Sequence, residues 1–359
     1  MDWLFVQMPI AGIQIFWPGL VILGFGVGII GSFFGMGGGW MVTPGLNILG
    51  FPMAFAIGTD ITHMAGNSLI STMRHSKFGN VDYKLGIVMA VGTVGGFESG
   101  AQMIMWLERI GRVDLFVRVG YLVLLTLIAW LVFADVYQQR KKHREDLTSG
   151  KPRQAVPSGG IQWYRTFQKI KIPPMVHFHR AGIRCTIWLP ISVSFLTGWL
   201  AGILGIGGGL VRMPALIYLV GVPTHIAVGT DLFEVALSAL YGAGTYTYKG
   251  RTELVAAVIM LVGASIGAQI GSVATKYAKG YGIRVFFGVA VVGCALSIAF
   301  KLCASSFPEL RRFFDNAAMV LILLLIAGLS LFILLKFIKG AREELALRTS
   351  ESRVGTAGK

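Results

Sequence analysis

A chain of 359 residues with 54% hydrophobic side chains, only 14% charged ones and a mean hydropathy of +0.68 is too apolar for a soluble globular protein. Its formal charge of +15 does not indicate nucleic acid, because eleven Lys or Arg against two acids are concentrated between Gln138 and Thr186, in one segment flanked by apolar stretches. That is the pattern of a polytopic membrane protein with a basic cytoplasmic loop beside anionic lipid headgroups.

In chain order, the start up to Trp17 carries only Asp2 as a charged side chain and lacks the basic region of a signal peptide. The first predicted helix covers 16–34 and contains Gly26-Val27-Gly28-Ile29-Ile30-Gly31. This is a literal dinucleotide fingerprint without the strand–turn–helix setting or the later acidic residue that such a site needs. Gly24/Gly28 and Gly31/Gly35 instead have the small-xxx-small spacing of packed membrane helices. A glycine run, Gly35-Met36-Gly37-Gly38-Gly39, then breaks the hydrophobic region. The apolar stretch after it, 40–50, falls short of the about 20 residues a spanning helix needs. Helices are predicted over 54–73, 85–107 and 115–137, followed by the basic segment 138–186.

The pattern then returns. Gly205-Ile206-Gly207-Gly208-Gly209 repeats the first run 170 positions later, and Gly58-Thr59-Asp60 returns as Gly229-Thr230-Asp231 at an offset of 171. Helices are predicted over 187–204, 210–220, 226–248, 254–274 and 283–302, and an unmatched helix over 317–337 precedes a basic tail. The expected fold is an all-α polytopic membrane protein built from repeats at 16–137 and 187–303, with an extra transmembrane helix at 317–338 and a cytoplasmic tail at 339–359. If each Gly-broken pair returns to its starting side, the basic segment, the tail, Arg74, Lys77, Lys84, Lys276, Lys279 and Arg284 all fall on one face. Each repeat then makes three full crossings, an odd number, so the two repeats are inverted.

The breaks are the candidate site. Half-helices starting at Gly38/Gly39 and Gly208/Gly209 would aim free N–H groups and a positive dipole end at an anion, with Gly37 and Gly207 leaving the backbone open. Arg212, one turn into the second half-helix, is read either as an anion ligand or as the partner of Asp60, Asp231 or Glu234; repeat 1 has Val42 there. Thr59, Asp60, Thr230 and Asp231 are read as helix N-caps or as lining residues, with Asn67 continuing the face. His63 and Glu234 occupy equivalent positions and, if the repeats meet about a two-fold axis, approach each other, to be read either as a proton-carrying pair or as two separate packing hydrogen bonds; Asp60, His63, Asp231 and Glu234 are the coupling or gating candidates. Glu98, beside Gln102, is read as an isolated, protonated carboxyl. Three cysteines give no disulfide framework, and His177 and His179 have no metal-spaced cysteine, so neither cofactor nor metal is expected.

The paired glycine runs with their prolines Pro44 and Pro214, the Gly-Thr-Asp triplets and the basic Arg118-Val119 and Arg284-Val285 starts of each repeat's last helix together resemble the sulfite exporter TauE/SafE family. The chain departs from that pattern at Asp60, Asp231 and Arg212 and in its long basic segment. The resemblance implies a secondary exporter of small sulfur-containing anions in the inner membrane, not an enzyme; the basic segment adds anionic lipid as a partner and argues against nucleic acid, and the assembly is left open, a homodimer being one option. The alternative reading is a non-transporting assembly subunit that uses the basic segment to hold a cytoplasmic protein.

Overall fold

The computed structural model describes residues 2–149, 164, 172–204, 208–278 and 280–357. The helices are α1 (Trp17–Phe34), α2 (Gly39–Ile48), α3 (Met53–Lys77), α4 (Tyr83–Arg109), α5 (Val113–Ser149), α6 (Trp188–Leu204) and α7 (Gly209–Ala215), the last continued by a π-helical turn, Leu216–Val220. They are followed by α8 (Thr224–Tyr248), α9 (Leu254–Tyr277), α10 (Gly280–Ser306) and α11 (Arg311–Ala357). Seven of the described helices are long and apolar enough to cross a bilayer. The 25-residue α3 is not among them, because it carries Thr59, Asp60, His63, Asn67, Ser68, Ser71 and Thr72, all buried inside the protein.

The helical architecture agrees with the sequence, and two antiparallel hairpins are added to it. β1 (Phe5–Met8) pairs with β2 (Ile13–Phe16), and β3 (Met175–Phe178) with β4 (Ile183–Thr186). Each hairpin precedes the first helix of a repeat, with Ala11-Gly12-Ile13 at one tip and Ala181-Gly182-Ile183 at the other. Strands of four residues are too short for their alternation to register as a pattern. Of the stretch expected as a loop over 138–186, residues 138–149 continue α5 and 175–186 form the second hairpin, while 150–163 and 165–171 lie outside the described residues; α11 runs unbroken through the expected tail to Ala357.

Glycines set the helix packing. α1 lies along α9 in the same direction: a Cβ on Gly24 would run into Met260, one on Gly28 into Ala264, and one on Gly263 or Gly267 into Val21 or Phe25. α6 lies along α4 in the same way, with Gly92, Gly96 and Gly100 against Ile191, Phe195 and Trp199. Each repeat thus lends its first helix to the other repeat's penultimate one, backbone against backbone. α3 also runs parallel to α9, Gly66 facing Leu261 and Arg74 bonding Gln269. The equivalent α8 runs parallel to α4, Gly86 facing Phe233 and Glu108 pairing with Arg251. Between the repeats, α3 and α8 are antiparallel: Gly58 meets Arg251, Gly242 meets Ile61, and Gly229 meets Asn80.

Candidate functional site

The first break opens where Gly35, at φ 84°, ends α1 by bonding its N–H back to Gly31 O. It closes at Gly38, whose φ of 95° is a left-handed conformation that costs a residue with a Cβ about 1–2 kcal/mol. Gly208, at φ 74°, does the same ahead of α7; Gly207 lies outside the described residues. The two breaks touch. A Cβ on Gly209 would lie 2.8 Å from Met36 Cα, while Gly35 and Gly37 are set against Val228 and Val235 of α8. Asn67 of α3 holds the first break by donating to Gly37 O at 2.8 Å.

Each half-helix start already faces a carboxylate. The position of a Cβ on Gly39 is 3.1 Å from Asp60 Oδ2, and that on Gly209 is 2.9 Å from Asp231 Oδ2. Neither aspartate caps its own helix, since α3 begins at Met53 and α8 at Thr224; this corrects the capping expectation. Thr43 Oγ1 of α2 donates to Asp60 Oδ2 at 2.7 Å. Asp231 Oδ1 lies 3.1 Å from Arg212 Nε, and Arg212 Nη1 is paired with Glu234 Oε2, all three side chains being fully buried. Of the partners open to Arg212 in the sequence, the structure selects Asp231 and Glu234 and leaves Asp60 out.

Thr59 and Thr230 turn away from the breaks. The Thr59 hydroxyl accepts the Glu253 N–H at 2.9 Å, and the Thr230 hydroxyl accepts the Asp82 N–H at 2.9 Å. Both acids then reach a hairpin tip. Glu253 Oε2 accepts from the N–H groups of Ile10 and Ala11 at 2.8 and 3.1 Å, and Asp82 accepts from Leu85 N at 3.1 Å and Ala181 N at 3.0 Å. Sequence reasoning passed over Asp82 and Glu253. The available signal was their matching position in the two repeats together with the two Ala-Gly-Ile tips.

His63 does not meet Glu234. Its Nδ1 lies 3.9 Å from Asp60 Oδ1 on its own helix, and neither ring nitrogen has a hydrogen-bond partner. Asp60 Oδ1, Asn67 Oδ1 and Ser68 Oγ are likewise unpartnered and buried, which leaves one face of α3 lined with unused polar atoms. Glu98 is not isolated: it bonds Gln102, Tyr241 and Lys249 at 3.1, 3.2 and 3.4 Å. Near the far end of α2, a cavity of about 20 Å³ is lined by Asn47, Arg118, Tyr121, Ser297 and Lys301. Tyr121 lines it with a buried hydroxyl that has no hydrogen-bond partner among the described residues.

Eleven described helices, seven of them fit to span a bilayer, enclosing a buried polar centre, define a polytopic membrane protein. The sequence profile of the sulfite exporter TauE/SafE family matches residues 20–298. The chain belongs to that family of membrane transporters. It is 27% identical to the Bacillus subtilis (strain 168) "Probable membrane transporter protein YunE" over 77% of this chain and 96% of that protein. A "Probable membrane transporter protein" of Xylella fastidiosa (strain 9a5c) is 25% identical over 79% of this chain and 94% of its own length. The Arabidopsis thaliana "Sulfite exporter TauE/SafE family protein 6" is 30% identical over 35% of this chain and 29% of its own. No solved structure matches.

Proposed function

We propose that the chain is a secondary transporter that carries small sulfur-containing anions, such as sulfite or an organosulfonate, out of the cytoplasm, with the anion held where the two breaks meet. The contact of Met36 with Gly209 is the observation that carries this reading. Irregular backbone at membrane depth is kept only against protein or a polar cavity, and broken helices from two repeats set against each other are the hallmark of a secondary-transporter binding site. Gly37 and Gly39 let Ser68, Met64 and Asp60 of α3 close directly on the backbone of the break, and the start of α2 offers N–H groups and a positive dipole end. Arg118 and Lys301 line the cavity near α2, each already paired with an aspartate, Asp114 at 3.7 Å and Asp315 at 2.8 Å. The family description, sulfite exporter, agrees with such a substrate. A non-transporting subunit would use the glycines for packing alone, and the family favours transport.

The repeats are inverted in this reading. α1 and α3 both run parallel to α9, so α2 returns the chain to the end from which α1 began; α6 and α8, both parallel to α4, bracket α7 in the same way. The antiparallel run of α3 and α8 then relates one repeat to the other by a two-fold axis in the membrane plane. The basic segment and the C-terminus fall on one face, the cytoplasmic face of an inner membrane by the positive-inside tendency, with the segment against anionic headgroups. Flux of radiolabelled sulfite, thiosulfate and 2-hydroxyethanesulfonate into proteoliposomes tests the function. Transport of at least one is expected from the wild type and none from Gly38→Val; no flux of any of the three would overturn the reading.

A further inference from the structure

We propose that Asp60 and His63 form a proton-binding site whose occupancy admits the anion to the first break, so that anion and proton bind together. The inference rests on the transport reading above and adds the coupling ion; export is then driven by the anion's own outward gradient, with one proton leaving alongside it. Its starting point is that the positive end of α2 is taken: Asp60 Oδ2 sits at contact distance from Gly39, where a transported anion would sit. Two negative charges at one half-helix start repel each other in an apolar surrounding, so the native carboxylate and the substrate exclude each other unless one charge is removed.

The second repeat removes it with a fixed cation. Asp231 stands at the start of α7 as Asp60 does at α2, and the Arg212 guanidinium, seated against Asp231 and Glu234, supplies from within the chain one positive charge, which offsets one of those two carboxylates. At the equivalent position the first repeat has Val42, and at the position of Glu234 it has His63. An ionised Asp60 beside a neutral imidazole would leave a lone charge in a centre where both side chains are fully buried, an arrangement the protein interior tolerates poorly. One proton on the pair makes it neutral. Both ring nitrogens of His63 and Asp60 Oδ1 lack other partners, so all three atoms are free to hold that proton, directly or through one water across the 3.9 Å gap.

Among the described residues the cations near α3 are engaged elsewhere, Arg251 with Glu108 and Arg212 with Asp231 and Glu234. α2 offers Thr43, α5 offers Tyr121 with Cys294 of α10 behind it, and α1 carries no titratable residue. α8 brings Tyr246 to Gly58, and α9 brings Glu253, whose carboxylate is turned to the first hairpin tip. None of these groups is a cation. A proton therefore does in repeat 1 what Arg212 does in repeat 2, with the difference that the proton can leave.

The test uses thiosulfate and 2-hydroxyethanesulfonate, both fully ionised near neutral pH, so that a pH gradient acts on the protein and not on the solute. In proteoliposomes with the wild type, a gradient of one pH unit, acid outside, should raise the steady-state internal anion up to about 10-fold for one proton per anion. Asp60→Asn and His63→Gln, whatever rate of flux each retains, should lose this accumulation, to within about twofold of the no-gradient level. Should Asp60→Asn fail to fold, the wild type decides alone: adding anion to purified protein in weak buffer should draw about one proton per anion bound from the medium. Wild-type flux with no response to the gradient, accumulation retained in both variants, or anion binding without proton uptake would each overturn the inference. Absence of wild-type flux would instead overturn the transport reading on which it rests.

Discussion

Thr59 and Glu253, 194 positions apart, are joined by a 2.9 Å hydrogen bond from the Glu253 amide to the Thr59 hydroxyl, and Thr230 and Asp82 repeat that bond with the two halves of the chain exchanged. The pair of bonds fastens each repeat to the turn before the other's penultimate helix, and through Glu253 and Asp82 to a hairpin tip. Thr59→Val leaves a buried amide without an acceptor, which typically costs about 1–3 kcal/mol. Thr59→Ser keeps the acceptor and should cost less. The expected outcome is a lower apparent melting temperature for Thr59→Val and Thr230→Val with near-wild-type values for the serine variants; loss of anion affinity at unchanged stability would instead return these threonines to the substrate site.

The glycines divide into a group that packs helices and a group that shapes the breaks. A Cβ on Gly96 would enter the Phe195 carbonyl, backbone that cannot swing aside, whereas one on Gly38 would meet the Val27 side chain and carry the strain of a left-handed φ. Gly96→Ala should therefore destabilise the protein by about 1–3 kcal/mol or more by prising α4 from α6. Gly38→Ala should cost about 1–2 kcal/mol and impair anion binding beyond its effect on folding. Thermal unfolding and anion titration on the same samples distinguish the two.

Helix order and the doubled glycine runs were legible in the sequence because periodicity and repetition survive in a one-dimensional string. The pairing of α1 with α9 and of α6 with α4 was not, since it is an exchange between repeats and any intramolecular arrangement would leave the same glycine spacing. Exchange also explains the misreading of Thr59 and Thr230: their partners, Glu253 and Asp82, are contributed by the other repeat. His63 was expected opposite Glu234 from their equivalence alone. Because α3 and α8 run antiparallel, with Gly58 against Arg251 and Gly229 against Asn80, equivalent positions come face to face only midway between those two contacts.

Sidedness follows from the helix directions. His177 in the second hairpin accepts from Lys84, and Tyr277 at the end of α9 bonds Glu344 of α11, which places that hairpin, the α3–α4 turn and the end of α11 at one face. Asp114 at the start of α5 belongs to the opposite face. In a cysteine-free background, His177→Cys and Lys339→Cys should react with an impermeant maleimide from the same side of oriented vesicles, and Asp114→Cys from the other. Opposite labelling of His177→Cys and Lys339→Cys would rule out inverted repeats with returning broken pairs.

Arg212 gives the sharpest separation of structure from function. It is fully buried, with Nε 3.1 Å from Asp231 Oδ1 and Nη1 against Glu234. Arg212→Met keeps the apolar stem and removes the charge, leaving two carboxylates facing each other and the start of α7. Removing one partner of a buried ionic cluster typically costs about 3–5 kcal/mol, because the remaining charge keeps its desolvation penalty. The single variant should therefore be strongly destabilised, and adding Asp231→Asn together with Glu234→Gln should restore most of the loss, since the cluster is then neutral throughout. The restored triple variant also reports on function. If the guanidinium only neutralises acids, the triple variant should bind anion as the wild type does; if it also contacts the anion, affinity should fall by about 1.5–3 kcal/mol, roughly 10- to 150-fold, at recovered stability. Measuring melting temperature and anion affinity across the single, double and triple variants separates these outcomes, and a stable Arg212→Met single variant would show that the buried cluster does not depend on the arginine's charge.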